Sequence, residues 1–100
     1  MENAQNFKLL DGVFNPEKAR EVLFNLVNSK IRFHQSEIIS IEERFGGDTT
    51  HSRKRVEELL QVHQEIRELT QQAEARGLHL QVNSMIEVSL VAAEELEEVE

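Results

Sequence analysis

Between residues 16 and 45 the apolar positions Phe24, Val27, Ile31, His34, Ile38, Ile41 and Phe45 follow one another at spacings of three and four, with polar side chains between them. That spacing lays side chains along one stripe of a helix, the stripe a coiled-coil seam uses. Both ends are punctuated. Asn15 stands where an N-cap belongs, Pro16 occupies the first helical position, Glu17 complements the helix dipole, and Gly46 follows the last periodic residue. A helix over 16–45 is predicted, a rod of roughly 45 Å. Ala19, Val22, Leu23, Leu26 and Phe33 widen its apolar stripe in the first half only, so its base is expected to be buried on two sides and its tip on one.

A second helical pattern runs over 50–76, with Asp48 or Thr50 as cap and Gly77 as its stop. Val56, Leu59, Leu60, Val62, His63, Ile66, Leu69 and Ala73 fill one half of its surface. The loop between the helices is short, so they run antiparallel. Beyond Gly77 the period drops to two: Leu78, Leu80, Val82, Ile86, Val88 and Leu90 share one parity. This predicts a strand over 78–90 with one buried face. Its partner is a shorter strand over 6–10, with Asp11-Gly12 read as a turn before Asn15. The fold class is therefore α+β in the order β-α-α-β: a long antiparallel two-helix hairpin on a small antiparallel sheet. The unequal strand lengths leave an edge unpaired, and dimerisation is expected to extend the sheet.

Composition sharpens this picture. One domain over 1–90 is expected, followed by an acidic tail, frayed or disordered, over 91–100. Only 39% of the chain is hydrophobic, without Trp or Tyr and with five Phe, so the core must be small and aliphatic, and a monomer would be marginal. Net charge is −8, but five of the nineteen acidic residues lie in the tail and all eleven basic ones precede it. The folded part is nearly neutral, which argues against nucleic acid or anionic lipid as a partner. The absence of cysteine excludes disulfides and thiol chemistry and fits a reducing cytoplasm; no signal peptide or apolar span is read, so the expectation is a soluble cytoplasmic protein.

Candidate chemistry is sparse. Folding the hairpin at 46–50 places His34 level with residues 60–63, facing His63. With Glu37 one turn away, the pair suggests a zinc site, although zinc needs three or four ligands and no HExxH spacing is present. A polar pair that fixes helix register explains the same residues. The run His51-Ser52-Arg53-Lys54-Arg55 opens the second helix, where an anion could meet both Arg53, Lys54, Arg55 and free N–H groups. Glu57 and Glu58 follow at once, Lys54 and Glu58 are spaced to pair, and no aromatic residue interleaves to stack bases. No Gly-rich phosphate loop, nucleophile elbow or paired buried carboxylates occur, so no catalytic residues and no cofactor are expected.

What remains apolar points to association. Ile39 lies off the seam, and Val82, Ile86 and Val88 line the long strand. The leading expectation is a small non-enzymatic protein-interaction or oligomerisation module, a homodimer with an unidentified protein partner. Alternatives are a nucleic-acid-associated regulator or antitoxin-like adaptor using Arg53, Lys54 and Arg55, and a metal-binding protein with a His34/His63 site.

Overall fold

A computed structural model describes residues 4–93, apart from the side chain of Phe45. The order is β1 (Gln5–Phe14), α1 (Pro16–Phe45), α2 (Thr50–Ala75) and β2 (Leu80–Val88). The helices pack as an antiparallel hairpin, and the strands form a two-stranded antiparallel sheet. The predicted fold class is thus the observed one. The tail expected to fray lies, over 94–100, outside the described residues.

The helix ends form where the punctuation places them. The Asn15 side chain accepts a hydrogen bond from the Lys18 N–H at 2.8 Å, and Pro16 opens α1. Gly46 closes α1 in the left-handed conformation, φ 57°, with its N–H on the Glu42 carbonyl. Gly77 does the same for α2 at φ 66°, and the Leu78 N–H reaches back to the Ala73 carbonyl at 2.8 Å while that of Gly77 reaches Glu74. This Schellman closure satisfies carbonyls the helix leaves open. It also corrects the second strand, because Leu78 belongs to the helix stop and β2 starts at Leu80. At the start of α2 Thr49 is the cap residue but its side chain makes no capping bond, and Asp48 instead accepts from both the N–H and the hydroxyl of Thr50.

The first strand differs most from expectation. It runs to Phe14 rather than Leu10, and Asp11-Gly12 lies within the ladder, opposite Asn83 and Val82. The Asn83 amide comes within 2.8 Å of the Asp11 carboxylate. A register shift between Lys8 and Leu10 explains why this strand hides in the sequence. A bulge inserts one residue and reverses the side-chain parity beyond it, so Phe7, opposite Ile86, shares a face with Leu10, Gly12 and Phe14 despite their opposite parity. All of β2 is therefore paired on one side, and the proposed mismatch of strand lengths is absent. Each strand keeps one outer edge.

The molecule is a thin, bent plate. Its extents are 50 × 34 × 14 Å and its radius of gyration is 17.0 Å, against about 13 Å for a compact domain of this length. A 30-residue helix and a nine-residue strand laid end to end would span well beyond 50 Å, so the ribbon turns across the base of α1. The core sits between the helices: Ala19, Ile31, Leu59 and Ala73 are the buried hydrophobic side chains among the described residues. Among those residues no helix is long and apolar enough to cross a membrane.

Candidate functional site

The seam between the helices contains more polar groups than the apolar stripe suggests. At its base the Thr70 hydroxyl, fully buried, accepts from Arg20 Nε at 2.9 Å and donates to the Ile66 carbonyl, with Glu74 at 4.0 Å from the guanidinium. One turn further Phe24 is held between the His63 ring, stacked at 3.8 Å between centroids, and the Arg67 guanidinium at 5.3 Å. Both Arg20 and Thr70 continue the three-and-four spacing of their helices, Arg20 before Phe24 and Val27, Thr70 after Leu59, His63 and Ile66. That spacing was the signal that could have found them.

These contacts fix the register and separate the two histidines. His63 lies on Phe24, ten residues and about 15 Å along α1 from His34. Two imidazoles on one zinc need nitrogens within roughly 4 Å of each other, since each bond is about 2.0–2.1 Å. His34 and His63 therefore do not face each other. His34 is fully buried higher in the seam, its ring edge-on to Phe33 at 5.2 Å between centroids. Among the described residues no group of three or more His, Asp or Glu side chains stands where it could hold a metal. Glu37 lies instead along a shallow groove with Phe33, Ser36 and Ser40.

The basic run is largely engaged within the chain. Arg53 reaches across the hairpin tip to Glu42 and bonds Thr49, and Arg55 binds Glu58 at 2.6 Å. Arg55 thus takes the role expected of Lys54. Its hydrogen bond to Glu58 holds that carboxyl below the usual range, against desolvation, which pushes it up. Ser52 is buried. Arg53 and Arg55 are thus drawn to separate carboxylates, Glu42 and Glu58.

Exposed apolar side chains occur along α2, at Leu60, Val62 and Leu69, which the expected apolar half of that helix does not bury, and at Leu9, Val13 and Met85 of the ribbon; two further places are relevant to association. At the tip, Ile38, Ile39 and Val56 floor an open groove of about 560 Å³ between Gln35, Arg53 and Glu57, and Ile39 is 56% exposed. At the other end, the ladder brings Val82, Ile86 and Val88 onto one face with Leu10 and Phe7. Its half next to the helices, Leu10 to Phe14 and Leu80 to Ser84, has its inward residues half-buried, whereas Phe7, Ile86 and Val88 are 44–52% exposed. Leu26 and Phe33 stand seven and fourteen residues after the buried Ala19, on the same stripe of α1, and are also exposed. The parity of β2 made its half of the ribbon face legible; the β1 half was hidden by the bulge.

No protein-family model, curated protein or solved structure matches this chain.

Proposed function

We propose that the protein is a non-enzymatic oligomerisation module whose working form is a homodimer, the second copy closing the apolar face of the ribbon and of α1. The observation that carries this reading is how little the single chain buries. Its accessible surface is 7703 Å² for 11.6 kDa, where a compact monomer of that mass exposes about 5,800 Å². The excess comes with the thin shape, 50 × 34 × 14 Å, which leaves a large surface for its mass, where a standard interface takes roughly 800 Å² per partner. Phe7, Leu26, Phe33, Ile86 and Val88 supply apolar side chains for it, and a two-stranded ribbon is marginal unless something packs on it. A cytoplasmic setting belongs to the same reading, supported by the cysteine-free composition.

Sedimentation equilibrium at micromolar concentration tests it. A mass twice that of the chain is expected, and a well-folded monomer would refute the dimer. A second reading, a different protein bound at the hairpin tip, draws on the exposed Ile39 and its groove. Isothermal titration of a candidate partner into the wild type and into Ile39→Glu would separate the two, because Ile39 is remote from the ribbon.

A further inference from the structure

We infer that the second copy joins along the outer edge of β2, antiparallel about residue 84, so that two ribbons become one four-stranded sheet of order β1-β2-β2-β1. This rests on the dimer proposed above and specifies its geometry. The first argument is the inequality of the two open edges. The β1 edge is interrupted by the bulge between Lys8 and Leu10, and the Lys8–Asp11 ion pair straddles the same stretch. Bulges and charges are how natural sheets protect an edge from pairing. The β2 edge has no bulge and a single charge. Its nine residues, Leu-Gln-Val-Asn-Ser-Met-Ile-Glu-Val, are regular in register, contain no Pro or Gly, and carry one charge, Glu87.

The second argument is what the register brings together. Pairing all nine residues about Ser84 sets Leu80 opposite Val88 of the second copy and Val82 opposite its Ile86, pairs of apolar side chains that stabilise a sheet. Glu87 falls opposite Gln81 of the second copy and not opposite another Glu87. A two-fold axis at Ser84 satisfies both chains with one contact, the usual closure of a small oligomer.

The third argument is coverage. In this arrangement the even-numbered side chains of both β2 strands share one face, so both helical hairpins stand on the same side of the sheet, at opposite ends. The covered half of one ribbon, Leu80 and Val82, then lies beside the bare half of the other, Ile86 and Val88. The apolar side chains that one ribbon leaves bare are thus flanked by those that the other has beneath its helices.

Amide hydrogen exchange on the wild-type protein tests the geometry without a substitution. In a lone ribbon every second N–H of β2 points to solvent, and so does every second N–H of β1. The proposal predicts loss of the fast-exchanging class in residues 80–88 alone, with alternate amides of β1 still exchanging fast. Because the chain has no cysteine, single Ser84→Cys and Leu9→Cys variants give a second readout: mild oxidation should link Ser84→Cys into a covalent dimer and leave Leu9→Cys unlinked. Alternate β2 amides that exchange as fast as those of β1, or linkage through Leu9→Cys only, in a sample dimeric by sedimentation, would overturn the β2 edge and leave the dimer standing. A monomer by sedimentation would remove both.

Discussion

In the middle of the helix seam the apolar side chains meet a surface supplied by the same chain: Ile31 and Leu59 are buried, and Arg20, Thr70, Phe24 and His63 are locked by directed contacts. At the far end of the ribbon Phe7, Ile86 and Val88 have their ladder neighbours and stay about half exposed among the described residues. The two regions have similar composition, so hydrophobicity alone does not separate them. What differs is closure. A hairpin of two long helices brings its own second surface, whereas two strands that turn across the helix base run past the end of what they can cover. Stability in the first region is a property of the chain, and in the second, under the proposed dimer, a property of the copy that completes the sheet.

The largest expected effect belongs to the closed region. Leu59→Ala should leave a cavity in the seam and cost about 2–5 kcal/mol in denaturant unfolding; a loss of under about 1 kcal/mol would mean that the seam is not the stable part. Ile86→Glu should act differently, lowering the dimer mass in sedimentation while helical circular dichroism persists, through the loss of roughly 1.5–3 kcal/mol of burial per chain. An unchanged mass would place Ile86 at a free surface, where substitutions are usually near neutral, within about 0.5 kcal/mol.

Smaller effects sharpen the seam itself. Thr70→Val keeps the shape but removes the acceptor of Arg20 Nε, and should cost about 1–3 kcal/mol; an Arg20→Met, Thr70→Val double variant should recover part of that loss, as a coupled pair requires. Gly77→Ala forces a Cβ into the left-handed region at φ 66° and should cost about 1 kcal/mol by thermal unfolding. The smallest effect is at the tip. The hydroxyl and then the backbone N–H of Thr50 hold the Asp48 carboxyl below its usual range. A carboxyl lowered on folding stabilises above its unfolded value, and that contribution fades as pH falls through the lower folded value. Asp48→Asn should therefore flatten the acid limb of the stability profile slightly, and an unaltered limb would show the Thr50 contacts to be without consequence.

The helices were legible because their signals are local. Asn15, Pro16, Gly46 and Gly77 each act on the backbone beside them, and α1 occupies the predicted span. Where a non-local fact decides the outcome, the sequence was silent or misleading. The bulge reverses parity within β1, so Phe7 and Leu10 looked incompatible, and Asp11-Gly12, a turn signal on its own, is overruled by pairing with Val82 and Asn83. The register of the hairpin went astray in a similar way. Counting back from the loop placed His34 level with residues 60–63, but the Arg20–Thr70, Phe24–His63 and Glu42–Arg53 contacts set it roughly level with Val56 and Leu59. An offset of one helical turn was enough to turn a ring stacked on Phe24 into an apparent ligand pair. The engagement of Arg53 by Glu42 was equally out of reach, since it depends on which residues meet across the tip.

The central claim, that the chain's stability includes the surface a second copy covers, is tested most directly by thermal unfolding of the wild-type protein over a wide range of concentrations. If the native species is a dimer and the unfolded one is not, mass action raises Tm as concentration increases. The account predicts a steady rise from low to high micromolar chain concentration. A Tm that stays constant across roughly a hundredfold range, with reversible and cooperative unfolding, would contradict it.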